Sequence, residues 1–467
     1  MASYVPPASF GGDPPTRRDD EIGLQSESRT VDIGKVLDDG PFTGFQKLIV
    51  LLAALSVIFD GCDTQVIGFA IPVLIKEWGI ARNAFAPVVA AGLIGMGIGS
   101  ACAGLFADRF GRRWAVIGSV LVFGFATAAI SLAPNPTVVA VLRFVAGLGI
   151  GGAVPTAATL TAEYTPIPFR TIAITVTILC VPLGGMFAGL FSSVILPAYG
   201  WRVLFLTGGV LPLVLAIVLL FALPESPRFL SRRPHRWKEL TKLLGRMSRH
   251  VTDDASFVDV REQSAEKHVG FTALFKDGRA SDTIAIWCAF FMCLLAIYAA
   301  FSWLPSMLAN GGLSVRQAGY GLTLYNLGGA IGALACAVII GRFGSRGPLL
   351  LCCFGAAASV GLLMTVNVVQ HVSLLMAGLF AHGLFVNAVQ VAMVALCAHV
   401  YPTGVRATGT ASAFSFGRMG SIVSAFAGAA IITAGGASSY LLMLGAAMTV
   451  VLIALALVRR HIPRSIR

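Results

Sequence analysis

The 467-residue chain is 56% hydrophobic and 12% charged, and its 34 Lys and Arg against 22 Asp and Glu give a formal charge of +12. An average soluble domain carries roughly 25% charged residues, so this composition argues against a soluble enzyme, a disordered chain, a secreted disulfide scaffold or a nucleic-acid binder. Where the excess positive charge sits is then the more informative question.

Residues 1–45 are polar, rich in Pro, Gly and Asp, and hold eight acids against Arg17, Arg18, Arg29 and Lys35. They lack the basic head, apolar run and small-residue cleavage site of a signal peptide, and read as a disordered cytoplasmic tail. Twelve apolar stretches follow, each long enough to cross a hydrocarbon core of ~30 Å as a helix. They run approximately over 47–71, 84–107, 114–133, 137–162, 171–196, 203–223, 283–308, 316–340, 348–367, 372–400, 407–433 and 438–458. The reading is an all-α integral membrane protein with a six-helix bundle at 46–223, a cytoplasmic linker at 224–282, a second six-helix bundle at 283–458 and a cytoplasmic tail at 459–467. Within the linker, Arg232 to Arg249 has the pattern of a short amphipathic helix at the inner membrane surface, though a solvated connector is the simpler reading.

Lys and Arg counts set the orientation. With the N-terminus inside, 28 of the 34 lie in cytoplasmic segments; Lys76, Arg82, Arg202 and Arg316 lie on the other side, and Arg143 and Arg418 lie within spans. Both termini are expected to be cytoplasmic in a multi-pass membrane protein. The nine cysteines all fall in apolar spans without a metal-ligand pattern, so they read as small packing residues.

The two halves repeat. Gly147-Leu148, Ala162, Pro166 and Arg170 recur 236 residues later as Gly383-Leu384, Ala398, Pro402 and Arg406. Asp108-Arg109-Phe110-Gly111-Arg112-Arg113 recurs 233 residues later as Gly341-Arg342-Phe343-Gly344-Ser345-Arg346. Two parallel six-helix repeats are the arrangement of a transporter whose halves rock about a site near the midplane.

The motifs resemble those of the major facilitator superfamily from Gln46 to the end of the chain. Gly104-Leu-Phe-Ala-Asp108-Arg109-Phe-Gly111-Arg112-Arg113 is similar to its signature loop after span two, Arg143 with Gly147, Gly149, Gly151 and Gly152 to its span-four signature, and Pro224-Glu225-Ser226-Pro227-Arg228 to its span-six ending. In span one, Asp60-Gly61-Cys62-Asp63-Thr64-Gln65 resembles the Asp-Gly-Phe-Asp signature of the aromatic acid:proton symporters, as do Glu163-Tyr164, Gly404-Val405-Arg406 and Arg418 elsewhere. Cys62 stands where Phe is usual, and Gly341 where the second loop expects an acid. The resemblance implies a major facilitator fold importing a hydroxybenzoate-like carboxylate by proton symport. It also implies a cytoplasmic charge cluster that latches the outward-open state, with Asp108 near the start of span eleven. Gly104, Asp108, Arg109, Gly111, Arg112, Glu163 and Arg406 read as gating residues, with Gly104 and Gly111 allowing close backbone approach and a tight turn.

Ionisable side chains inside a span cost several kcal/mol and usually have a functional reason to exist. Asp60 and Asp63 share a helix face, and at ~1.5 Å per residue Asp60 and Arg143 lie at matching depths, so an Asp–Arg pair between spans one and four is geometrically possible. A carboxylate that alternates between an apolar pocket and a neighbouring Arg can load and release a proton. Asp60 or Asp63 is therefore the candidate proton carrier and Arg143 its modulator, against a permanent ion pair that only registers two helices. Arg418, near the midplane of span eleven, offers a planar fork matched to a substrate carboxylate, or to an internal acid. His382 could hydrogen-bond a ring substituent or simply be packed; Tyr325, Asn326, Asn387 and Gln390, with Tyr298 and Trp303, could supply walls and polar contacts.

The proton is the only coupling species expected, with no cofactor and no metal, and the expected partners are the bilayer and a small aromatic acid, the protein acting as a monomer. A carrier for a sugar or a non-aromatic acid is the alternative transporter reading, prompted by the Pro-Glu-Ser-Pro-Arg ending of span six. A membrane enzyme or receptor is disfavoured because no metalloprotease, phosphate-loop or serine-nucleophile motif is present.

Overall fold

The computed structural model describes residues 30–249, 251–252, 255–259, 271–276, 278–366, 370–401 and 405–463. Residues 1–29 of the expected tail, and Pro402 and Gly404 of the sequence patterns, lie outside the described residues. Among the described residues, ten helices are long and apolar enough to cross a membrane. They are α2 (Gly44–Trp78), α3 (Arg82–Phe110), α4 (Arg112–Ile130), α5 (Pro136–Tyr164), α6 (Ile167–Ala222), α9 (Ala280–Asn310), α10 (Val315–Phe343), α11 (Arg346–Thr365), α12 (Val372–Val400) and α13 (Arg406–Leu457). Between and before them lie β1 (Thr30–Asp32), α1 (Ile33–Asp38), α7 (Pro227–Ser231), α8 (Trp237–Arg246) and β2 (Ser256–Val258).

Two of the ten are too long for a single crossing. At ~1.5 Å per residue, the 56 residues of α6 and the 52 of α13 would run about 80 Å. Each is broken by a glycine with positive φ, Gly200 at 77° and Gly436 at 66°, a conformation that other L-residues rarely adopt. The breaks divide each into two spans, which gives twelve in two groups of six. An even number returns the chain to the side from which it entered, so both ends and the α7–β2 connector share one face, here termed the terminal face.

Helix entry follows local chemistry. Thr43 and Gln46 form a reciprocal capping box at the start of α2, as Ser314 and Gln317 do for α10, and Asn135 caps α5 just before Pro136. Within the bundles, small residues let backbones approach. In the first, a Cβ on Gly95 or Gly99 of α3 would strike the backbone of Phe144 or Leu148 on α5; in the second, Gly328 and Gly332 of α10 meet Phe380 and Leu384 of α12 in the same way. The glycines stand at the 233-residue offset of the loop repeat and their partners at the 236-residue offset of the other, so the repeats describe packing as well as sequence.

Residues 30–45, expected as part of a disordered tail, are ordered in part. β1 pairs in parallel with β2, Thr30 opposite Ser256, and α1 buries Ile33 and Leu37. Asp38 then takes an ion pair from Arg170 at the α5–α6 turn and a second from Arg228 at 3.7 Å. Arg228 also reaches Asp259 at 3.5 Å. The connector is thus partly folded against the first bundle rather than a plain polar linker. α8 buries Leu240, Leu243 and Leu244, which agrees with the amphipathic reading of 232–249.

Among the described residues, the hydrogen bonds that cross between the bundles lie at mid-depth or farther from the terminal face. Asn83 accepts from Thr433 at 3.1 Å where the start of α3 meets the Gly436 break of α13, on the far side. Thr323 reaches the carbonyl of Met186, and Gln65 pairs with Asn326. The bundles are therefore joined on the far side and part toward the terminal face.

Candidate functional site

The buried charges of the first bundle converge on α2. Asp63 and Asp60 are 2% and 3% exposed, so both are removed from water, but their surroundings differ. The Nη1 of Arg143 lies 3.4 Å from Asp63 Oδ2, and both terminal nitrogens of the guanidinium donate to the Asp63 carbonyl at 3.3 Å. Thr127 of α4 donates to Asp63 Oδ1 at 2.7 Å. Asp60 Oδ1, one turn away, is buried and receives no hydrogen bond. The depth argument paired Asp60 with Arg143; the partner is Asp63. Depth alone does not decide the pairing, because two acids three residues apart project at different angles and Asp63 is the one turned toward α4 and α5.

Asp60 instead lies within electrostatic range of Arg418 in the other bundle. Arg418 is half-buried, donates to the Tyr298 hydroxyl at 2.6 Å, sits 5.5 Å from that ring's centroid and also contacts Met96 Sδ at 2.6 Å. No carboxylate lies within salt-bridge distance of it among the described residues. Twelve residues after the start of α13, it is about 18 Å along the axis, close to the middle of a ~30 Å core. Beside Met96 and Arg143 is a cavity of about 20 Å³, bordered also by Thr64, Ile150 and Ser302. This is room for a water-sized group only. An aromatic ring would have to occupy the side open to the terminal face.

The remaining binding candidates separate. Asn326 donates to Gln65 Oε1 at 2.8 Å and accepts from Gln65 Nε2 at 3.2 Å, so both amides are used in closing α2 on α10. Tyr325 is fully buried, with the Phe301 ring T-shaped to it at 6.2 Å, and the Asn387 amide donates to the Gly383 carbonyl at 3.0 Å. His382 faces α11: its Nδ1 is 3.0 Å from Ser359 Oγ and 3.2 Å from the Ala356 carbonyl. It is packed within the second bundle, as a lone histidine usually is, and is not brought to Arg418. Gln390, one turn beyond Asn387, is half-buried. Trp303 is fully buried.

At the terminal face, Arg112 joins Asp108 at 2.6 Å and Glu163 at 3.5 Å, and all three belong to the first bundle. Asp108 is 61% exposed and is not docked on the start of span eleven, where Arg406 is exposed and bonded to the Tyr401 carbonyl at 3.4 Å. The expected contact is missing because the bundles part on this side. Gly104 is likewise exposed, with open space where a Cβ would stand, so the close approach expected there is not made in this conformation. Arg109 is exposed, and its carbonyl accepts from Arg233 at 2.5 Å.

Gly111 does make the tight turn. Its φ is 108°, and a Cβ would collide with the Glu225 carboxylate, which accepts from the backbone N–H of Arg113 at 3.1 Å and of Ser226 at 2.9 Å. Burial pushes the Glu225 carboxyl up, against the opposing pull of those N–H donors. Tyr164 completes the corner by donating to the Glu225 carbonyl at 2.6 Å. Three contributors had no role assigned from sequence: Gln65, Thr127 and Glu225. Gln65 and Glu225 lie inside the quoted motifs, whereas nothing in the sequence singles out Thr127 from other span threonines.

Two pseudo-symmetric six-helix bundles, with a buried ion pair in one and a central cation that has no carboxylate partner among the described residues in the other, are the architecture of a membrane transporter. The family model of the Major Facilitator Superfamily matches residues 53–311 and 286–466, and the chain belongs to that superfamily. It is 36% identical to the 4-hydroxybenzoate transporter PcaK of Pseudomonas putida over 88% of this chain and 91% of that one. It is 34% identical to the gallate transporter of the same organism, over 87% and 90%. Among solved structures, the inward open conformation of the xylose transporter XylE from E. coli superposes with a TM-score of 0.69 at 19% identity, covering 89% of this chain and 96% of that one. That likeness concerns the fold.

Proposed function

We propose that the chain imports an aromatic monocarboxylate together with a proton, by alternating access across the cytoplasmic membrane. The observation that carries this reading is Arg418: a central, half-buried guanidinium fixed by Tyr298, within electrostatic range of the buried Asp60 and lacking a carboxylate partner among the described residues. A guanidinium so placed is preorganised for a bidentate carboxylate, and the Tyr298 ring beside it offers an aromatic face. The names of the relatives, transporters of 4-hydroxybenzoate and gallate, support an aromatic acid over a sugar.

Asp60 is the proton carrier in this reading. A buried carboxylate oxygen with no donor is costly when charged, and a proton removes the cost. Asp63, held by Arg143 and Thr127, keeps α2, α4 and α5 in register. Substrate arriving at Arg418 adds a negative charge near Asp60, so binding and protonation favour each other. Asp108, Arg112 and Glu163 form the half of a latch that meets the second bundle when the terminal face closes. The charge asymmetry supports a cytoplasmic terminal face, and one chain contains both bundles, which supports a working monomer.

The test is an uptake screen in proteoliposomes of benzoate, 4-hydroxybenzoate, gallate and xylose at two external pH values. Accelerated uptake of one of the carboxylates at the lower pH supports the reading. Xylose uptake, or carboxylate uptake that ignores pH, would overturn it.

A further inference from the structure

Beside the first bundle, where the membrane ends on the terminal side, lies a second cavity of about 250 Å³. Its walls are the last turn of α6 at Phe221, the start of α4 at Arg113, and the face of α8 that carries Lys242 and Arg246. Lys238, Lys242 and Arg246 are four residues apart, all exposed, and form one stripe, while Leu240, Leu243 and Leu244 hold the opposite face against the protein. The one acid at the cavity, Glu239, is engaged by Arg236 at 2.8 Å, and Lys242 has no ion pair among the described residues. Arg113 spends one nitrogen on the Leu220 carbonyl and stacks over Trp114 at 5.4 Å, and Arg246 lies 4.2 Å over Phe45.

The apolar side of the cavity places it at a lipid boundary. Phe221 is 88% exposed and Trp114 47%, and exposed aromatics at the end of spans mark the headgroup level. Three cations beside an exposed apolar helix end suit a ligand with a phosphate at one end and hydrocarbon at the other. We infer that this cavity binds the phosphate of an anionic phospholipid, its acyl chains lying along Phe221 and the outer side of α6. Basic pockets beside spans take such headgroups. Since α8 belongs to the connector that joins the bundles, a lipid here would fix the connector to the membrane surface. Only the leaflet that supplies the lipid depends on the orientation proposed above; binding does not.

The experiment titrates the purified full chain with phosphatidylglycerol or phosphatidylcholine and counts retained lipid by native mass spectrometry, with glycerol phosphate as the soluble competitor. Wild type is expected to retain phosphatidylglycerol preferentially, and Lys242→Gln with Arg246→Gln to weaken retention about 25-fold, from roughly fivefold per cation. A Lys242→Arg, Arg246→Lys variant, which keeps the charge, should retain the lipid and controls for folding. Equal retention of the two lipids, or unchanged retention in the Gln variant, would overturn the site. Displacement by glycerol phosphate at equal concentration would overturn the lipid as its occupant.

Discussion

The Arg143 guanidinium lies 3.4 Å from the Asp63 carboxylate, and Asp60, one turn away on the same helix, is left with a buried oxygen that nothing donates to. The two acids of one motif therefore have different chemistry. Asp63 has a cation, a hydroxyl and a structural context in three helices. Asp60 has the more distant charge of Arg418 across the bundle interface.

Removing one partner of a buried ion pair leaves the other uncompensated. Arg143→Gln should cost about 3–5 kcal/mol of stability, and Asp63→Asn a similar amount. The double variant should be more stable than the sum of the two losses implies. Thermal unfolding in detergent checks this, and strict additivity would mean that the pair is not coupled.

Arg418→Lys keeps the charge and loses the fork. If the guanidinium binds the substrate carboxylate bidentately, affinity should fall about 10- to 100-fold, which corresponds to one charged hydrogen-bond pair at about 1.5–3 kcal/mol. Binding calorimetry with 4-hydroxybenzoate measures it; an unchanged dissociation constant would remove Arg418 from the binding site.

The Gln65–Asn326 amide pair, at 2.8 and 3.2 Å, is buried between α2 and α10 on the closed side. Gln65→Leu leaves the Asn326 Oδ1 without its donor, while the amide nitrogen keeps the Leu322 carbonyl at 2.9 Å, at a cost of about 1–3 kcal/mol, and should shift the population toward opening on the far side. Spin-label distances between the start of α3 and the Gly436 break of α13 should lengthen in the variant. Unaltered distances would show that the pair does not hold the closure.

Gly111→Ala meets two obstacles, a φ of 108° and the Glu225 carboxylate where the methyl group would stand. Non-glycine residues in such conformations cost about 1–3 kcal/mol. The unfolding temperature should drop for Gly111→Ala and change little for Gly104→Ala, whose Cβ would enter open space. Equal effects would contradict the assignment of the turn to Gly111.

The repeat, the twelve spans and the charged residues of α2, α5 and α13 were legible because each has a local signature: apolar length, motif spacing, or a charge where charge is costly. Gln65, Thr127 and Glu225 were not assigned because their importance lies in which neighbour they meet, and a span threonine or a motif glutamine has no pattern that names its partner. The pair between spans one and four is present, but which of Asp60 and Asp63 meets Arg143 was not legible for the same reason: depth follows from counting residues, whereas the azimuth of a side chain depends on how helices pack. Gly104 and Asp108 face open space because a single conformation satisfies only one set of interface contacts. Their pattern in the sequence is consistent with a partner met in the other conformation.

The most direct test of the account is accumulation of labelled 4-hydroxybenzoate in proteoliposomes under an imposed pH gradient, acidic outside, comparing wild type with Asp60→Asn. Wild type should concentrate the acid above equilibrium, while the variant should equilibrate it without concentrating it and should still exchange internal for external substrate. Accumulation by Asp60→Asn equal to that of wild type would contradict the role of Asp60 as proton carrier.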